Sequence, residues 1–482
     1  MSSVSHAQSD ELGNRIAITF FDESIYTIAQ EDLKMFRSIG VSIVEIPGLS
    51  STNHLSFNEF NLFLRNPLKY PTSYRLNTEK ENMMQEVLSL YREVNNSYAG
   101  NIAALSLFSY PNENDAQFFA AASAFADTLS RHISTPLYYN SSKIVPELLP
   151  NNFDFTSGLI SSNSNLGTLD NLQAVHFRPS ENKREDFRAL EQLLNQTVRQ
   201  SSSITILPAG WLLEKLTNVE GFDRILQSHM RGNSVELPLP DSESDTPPVN
   251  WSVVLLVLIW ISFLIHYKNQ PGYSAILTRY FTGHSFFVAD VMEHRLRSSA
   301  PGFIILFQHS LLSGLALYIL SDTYFSDLGL DALTTYFPGL IFDGMEYVSL
   351  FLIGTIIALL SHLVSVFWIY ILNKQTSHIS QVLNLYSWPL HVNLLFVTLL
   401  VFLHQSGADS FWIMITFIGF LIVWFMAFNL AAIDCVRFLE KFKVVNFLLT
   451  VVLHILVITG LVMWLLISPT IIEPIRLALF LS

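Results

Sequence analysis

The sequence predicts an α/β (β/α)8-type barrel followed by an all-α domain of six transmembrane helices. Three observations predict it. Short β-rich runs recur about every 25–30 residues through the first half, most of them followed by an amphipathic helical stretch, and alternation of this kind implies parallel pairing. From Asn250 onward six apolar runs carry almost no charge, the pattern of spanning helices. The charge is also unevenly divided: 18 Lys and Arg stand against 29 Asp and Glu before Asn250, and 9 against 11 after it. An acidic soluble domain joined to a membrane domain follows. The acidic half excludes nucleic acid, which requires basic surface. The one cysteine, Cys435, excludes an intrachain disulfide framework and a zinc ribbon.

Taken in order, residues 1–12 form a polar tail and 13–232 the barrel. Its expected strands are Ile16–Phe21, Ser42–Ile46, Ser73–Leu76, Ile102–Ser109, Pro136–Tyr139, Phe155–Ile160, Ala174–Phe177 and Ile204–Leu207. Between them lie helical stretches such as Glu79–Asn95, Ala116–His132 and Glu185–Gln200. The phrase RSIGVSIVEIPG runs from a helix end through glycine into a buried strand, as in a βαβ crossover. Eight units imply closure, although the weaker final helices leave an incomplete barrel open. Residues 233–249 (NSVELPLPDSESDTPPV) read as an exposed acidic linker, and 250–482 as the membrane domain.

The site of such a barrel lies at the C-terminal strand ends. Those positions carry Asp22 and Glu23 after strand 1, Tyr110, Asn112 and Glu113 after strand 4, and Tyr139 and Asn140 after strand 5. His176 and Arg178 close strand 7, and Trp211 follows strand 8. Carboxylates mixed with aromatic rings suit a sugar: its apolar faces stack on rings, its hydroxyls need acceptors, and hydrolysis needs two carboxyl groups. The pattern resembles glycoside-hydrolase (β/α)8 barrels, many of which carry an Asn-Glu pair at the end of strand 4. The resemblance implies Glu113 as acid/base; the other nine residues are candidate substrate contacts by their strand-end positions. The same families place a nucleophilic Glu at the end of strand 7, where this chain has His176-Phe177-Arg178-Pro179, and Glu181 is a poor substitute. Structurally, Glu113 also reads as an acidic residue near the start of the next helix, where the helix dipole favours it.

The six spans run roughly over 250–267, 301–320, 346–373, 382–404, 411–433 and 444–468. Eight basic residues (Lys268, Arg279, Arg295, Arg297, Lys374, Arg437, Lys441 and Lys443) fall on one side of them and only Arg476 on the other. Basic loops stay in the cytoplasm, so the barrel and the C-terminus are expected outside it, with the chain in a bacterial inner membrane. The segment Ser5-His6-Ala7-Gln8 resembles the cleavage region of a secretory signal peptide, with the mature chain expected to begin near Gln8. Four histidines, His309, His362, His391 and His454, fall roughly 14–17 Å from the inner face at ~1.5 Å per residue, near the middle of a ~30 Å core. Converging imidazoles would ligate a metal or haem, or relay protons; bonds to neighbouring helices are the plainer alternative. The segment RYFTGHSFF and the hydropathy loosely resemble uncharacterised Yip-like multi-span bacterial domains, which implies no activity.

The expected function is therefore an envelope protein whose exported barrel binds or hydrolyses a glycan and is held in the lipid bilayer. Its rivals are a non-enzymatic assembly or transport component with a degenerate barrel as docking surface, and a membrane metal or redox protein built on the histidines. No cofactor or protein partner is assigned.

Overall fold

The computed structural model describes residues 15–20, 28–47, 55–66, 68–98, 101–142, 153–161, 174–180, 183–199, 204–239, 249–270, 272–296, 298–373, 378–439 and 442–481. The N-terminal tail lies outside them. The chain divides into two compact units, Met1–Thr246 and Pro247–Phe480.

In the first unit eight parallel strands close a barrel in sequence order: β1 Arg15–Thr19, β2 Ile43–Ile46, β3 Asn61–Arg65, β4 Ile102–Ser109, β5 Leu137–Asn140, β6 Phe155–Ser161, β7 Ala174–Arg178 and β8 Ile204–Pro208. The last strand pairs with the first from Arg15↔Ile204 to Thr19↔Pro208, which closes the ring. Seven of the eight expected strands are present within a residue or two. The third is a correction. Ser73–Thr78 is a helix, started by Thr72, whose hydroxyl accepts the Arg75 N–H at 3.3 Å. The strand in its place is Asn61–Arg65, held between β2 and β4.

Alternation along each strand divides the barrel into an inside and an outside. Outward residues such as Ile18, Val44, Leu64, Leu107, Tyr139 and Phe177 pack into the core beneath the helices. Inward residues fall into two levels. Near the N-terminal ends, Ala17, Ile43, Phe63, Ala104, Tyr138, Phe155 and Ala174 form an apolar floor in which Tyr138 stacks on Phe155 at 4.7 Å. On β1 to β7 the next inward positions toward the C-terminal ends are Thr19, Glu45, Arg65, Ser106, Asn140, Ser157 and His176, all buried and all polar, while β8 presents the apolar Ile206 beside His176. The barrel thus changes from apolar to polar along its own axis.

The start of the expected linker belongs to this unit. Asn195 exchanges two hydrogen bonds of 2.8 Å with the Val235 backbone, and Glu191 accepts the Leu237 N–H at 2.8 Å. Val235 and Leu237 are buried as a result, while Asn233, Ser234 and Glu236 between and beside them are exposed, so the chain is pinned to this unit as far as Leu237. Residues 240–248 lie outside the described set.

The second unit is a multi-pass membrane bundle. Among the described residues six helices are long and apolar enough to cross: Trp251–Asn269, Ala300–Tyr324, Glu346–Leu372, Ile379–Gln405, Ser410–Arg437 and Lys443–Ile467, spans 1 to 6. Residues such as Leu352, Ile356, Leu360, Leu363 and Phe367 of span 3 point out of the bundle, as lipid requires. Spans 2 and 3 run in close contact at Gly314 and Gly354: a Cβ on Gly314 would collide with the Thr355 hydroxyl and the Phe351 carbonyl. Span 4 is broken. It is helical over Ile379–Ser387 and Val392–Gln405, with a 3-10 turn at Trp388–His391 where Pro389 supplies no N–H. Two short helices the apolar pattern did not announce, Asp327–Tyr336 and Pro469–Phe480, pack through Leu330, Leu333 and Ala478.

Candidate functional site

The polar level of the barrel is organised around Glu45, whose side chain is fully buried. Thr19 donates to its Oε2 at 2.6 Å, Arg65 to the same oxygen at 3.3 Å, and Tyr138 to Oε1 at 2.8 Å. His176 Nε2 stands 3.2 and 3.0 Å from the two oxygens; a carboxylate only accepts, so this nitrogen carries the hydrogen. Burial opposes ionisation of Glu45, but the neighbouring His176 and Arg65, with the His176 and Thr19 hydrogen bonds, hold its carboxyl well below the usual range. Burial followed by the Glu45 charge pushes the Tyr138 phenol well up, so it stays a donor.

The network extends around the barrel. Arg65 Nε donates to Ser109 at 3.0 Å, and Asn140 Nδ2 donates to Ser106 and Ser109 at 3.1 Å each. Ser157 donates to Asn140 Oδ1. Above this level Tyr110 forms part of the rim, its ring under the Arg65 guanidinium at 5.6 Å and tilted against Tyr70 at 5.8 Å. Both tyrosines have left-handed backbones, φ 58° at Tyr110 and 54° at Tyr70, at a cost of about 1–2 kcal/mol each. The Tyr110 N–H to Asn140 carbonyl bond of 2.7 Å and the Tyr70 N–H to Ser109 carbonyl bond of 2.8 Å hold them there. Strain maintained in this way clusters at binding sites. Arg178 continues the inward row of His176 to the rim and is half-buried.

The sequence-derived residues separate accordingly. His176 and Asn140 lie in the buried network, and Tyr110 and Arg178 at the rim. Asp22 and Glu23 lie outside the described residues, as does Glu181. Glu113 is placed differently from the expectation: buried to 6% exposure, it lies against the hydroxyl of Tyr139, which alternation turns out of the barrel among Phe119 and Phe153. Burial and the Glu113 charge push that phenol up, so Tyr139 is its donor. Asn112 folds its own loop, Oδ1 accepting the Asn114 N–H at 3.1 Å, and Asp115 caps the following helix through the Gln117 N–H at 2.9 Å. Trp211 lies outside this polar level. It sits in the helical layer among Phe177, Phe187 and Phe222, with Lys215 over its ring at 5.5 Å.

The central carboxylate, Glu45, was missed, with Arg65, Thr19 and Tyr138. The signal was present: Glu45 is the only charge in the buried run Val41–Ile46, two residues from Ile43 on the same strand face.

In the membrane unit two of the four histidines meet. His309 Nδ1 and His362 Nε2 are 2.9 Å apart, and both side chains are fully buried. His309 Nε2 faces Asn393 Nδ2 at 2.7 Å, and His362 Nδ1 faces the Tyr386 hydroxyl at 2.8 Å. Phe420 stacks on His309 at 5.2 Å, and Trp424 packs on both imidazoles. His391 instead bonds Tyr273 and the Trp388 carbonyl, and His454 stacks on Phe428 at 3.9 Å. All four nitrogens of the pair are engaged within the protein, and among the described residues no three His, Cys, Asp or Glu side chains gather to hold a metal. The expected four-histidine metal cluster reduces to a hydrogen-bonded pair.

No protein family, curated protein or solved structure matches this chain.

Proposed function

We propose that the chain is an envelope protein anchored in a bacterial inner membrane, with its barrel outside the cytoplasm binding a glycan at the C-terminal strand ends. The eight-to-one division of basic residues between the two sets of loops supports that orientation. The observation that carries the binding reading is the switch of the barrel interior from apolar floor to polar level, topped by the strained Tyr110. The Tyr110 ring beside Arg65, with Arg178 at the end of β7, suits a polyhydroxylated ligand that stacks one face and offers oxygens to donors. Binding is favoured over cleavage. Glycoside hydrolysis needs two carboxyl groups facing the scissile bond, whereas Glu45 is saturated by four donors and Glu113 turns toward the outward Tyr139.

A second reading, a docking surface for another protein, is favoured by the filled interior: inward side chains from Ala17 to His176 are buried. One experiment separates the two. The full chain in lipid nanodiscs is applied to an array of bacterial cell-wall and capsular oligosaccharides, beside Tyr110→Ala, Arg178→Ala and Glu113→Gln. Glycan binding lost at least tenfold in the first two variants and retained in the third supports the proposal. No glycan retained by the wild-type chain, or retention indifferent to Tyr110 and Arg178, overturns it and favours docking.

A further inference from the structure

We propose that the His309–His362 pair is a proton-binding site inside the membrane bundle, with the Asn393 amide as its gate. The hydrogens of the resting pair follow from the acceptors around it. The Phe420 carbonyl can only accept, which fixes Asn393 Nδ2 toward it at 3.1 Å; the same nitrogen donates to His309 Nε2. His309 must then carry its hydrogen on Nδ1 and donate to His362 Nε2. His362 in turn carries its hydrogen on Nδ1 and donates to the Tyr386 oxygen, which also takes the Trp424 N–H at 2.9 Å. The chain Asn393–His309–His362–Tyr386 is therefore uncharged and runs in one direction.

Three features go beyond what a structural pair needs. Asn393 is fully buried, yet its Oδ1 has no hydrogen-bond partner among the described residues. A half-turn of the amide, which gives up the hydrogen bond to the Phe420 carbonyl, brings this oxygen to His309 Nε2 and creates the acceptor that a second imidazole hydrogen requires. An N–H bond then forms at His309 Nε2, and the added charge is shared with His362 across the 2.9 Å contact; only a proton is gained. Secondly, span 4 leads from the site toward one end of the bundle, His391 standing two residues from Asn393. His266 lies three residues from the end of span 1, on the side of the basic loops, with its ring 4.8 Å from Tyr273, whose hydroxyl bonds His391 Nε2. Thirdly, span 4 leaves α-geometry at Trp388–His391, between Tyr386 and Asn393, where a hinge would let the amide turn.

The groups facing the pair are Ser313 on span 2, Tyr386, His391 and Asn393 on span 4, and Phe420 and Trp424 on span 5. None of them is a carboxylate, lysine or arginine, so no fixed charge decides the protonation state. Mutual repulsion among the imidazoles limits the site to one proton.

The test is a pH series on the full chain in lipid nanodiscs with 15N-labelled histidine, the two resonances assigned through His309→Gln and His362→Gln. Both imidazoles are expected as neutral Nδ1–H tautomers at neutral pH, converting together to a shared imidazolium on acidification while the near-UV circular dichroism is unchanged. Asn393→Leu, similar in size but without an acceptor, should abolish that conversion. Resonances that stay neutral until the dichroism is lost, or conversion unchanged in Asn393→Leu, would overturn the proposal. The wild-type series decides alone if a variant does not fold.

Discussion

Both halves of the chain bury a polar cluster at their centre, and they do so by opposite means. The barrel encloses the Glu45–Arg65 ion pair and surrounds the carboxylate with four donors. The bundle encloses two imidazoles, a phenol, an indole and an amide, and no ion pair among them. The difference follows from what each interior offers a charge. In the barrel, several strands aim donors at one point, so a carboxylate can be desolvated and still stabilised. A span surrounded by lipid offers few such donors and no water, and uncharged groups that both donate and accept are the economical filling.

The comparison can be broken most strongly at Glu45. Glu45→Gln leaves Arg65 buried without its counter-charge and should destabilise the barrel strands by about 3–5 kcal/mol in hydrogen exchange on the full chain, with the spans unaffected. The pH dependence has the same origin. With its folded pKa held low, Glu45 contributes stability that is complete above the ordinary carboxylate range and is lost as pH falls through and below it. Strand protection should therefore decline in acid, and Glu45→Gln should flatten that decline. Trp211→Ala should cost about 3 kcal/mol of barrel stability by emptying the space among Phe177, Phe187 and Phe222, and leave glycan binding unchanged. A binding loss larger than the stability loss would return Trp211 to the site.

His229 provides a smaller test. It is buried, its Nδ1 has no partner among the described residues, and burial pushes it down from 6.5 to about 4. The unfolded chain therefore takes up this proton first. Barrel stability should fall as pH drops from about 6.5 to about 4, by at most roughly 3 kcal/mol, and His229→Phe should remove that component. The smallest effect is expected at Asp115→Ala, which removes one helix cap and should cost about 1 kcal/mol.

How much of this was legible depended on whether a residue's direction is encoded locally. Inside a strand it is, because alternation assigns a face; His176 and Asn140 face the barrel interior as their strand positions require, and Glu45 and Ile43 share a row in the same pattern. Beyond a strand end it is not. Asn112-Glu113 is a visible motif, but nothing in its spacing says that Glu113 turns toward Tyr139. Trp211 falls in the first turn of a helix, where the buried face is chosen by Phe187 and Phe222, both distant in sequence. The misplaced third strand has a local cause: Ser73-Tyr74-Arg75-Leu76 looks β-like until the Thr72 cap is considered, while Asn61–Arg65 ends in a charge that only the barrel interior explains. The membrane spans were legible to within a few residues because bilayer thickness constrains their length. The pairing of His309 with His362 needed the packing of four spans.

The contrast between the two interiors is tested most directly by paired double-mutant cycles read in one preparation of the full chain. One cycle joins Glu45→Met with Arg65→Met, the other His309→Leu with His362→Leu, with hydrogen exchange of the strands and spans as the readout. The expected coupling is at least about 3 kcal/mol for the ion pair, where each single change strands a buried partner, and about 1 kcal/mol for the uncharged imidazoles. Equal couplings, or a Glu45–Arg65 coupling below about 1 kcal/mol, would contradict the assignment of a charged centre to the barrel and a neutral one to the bundle.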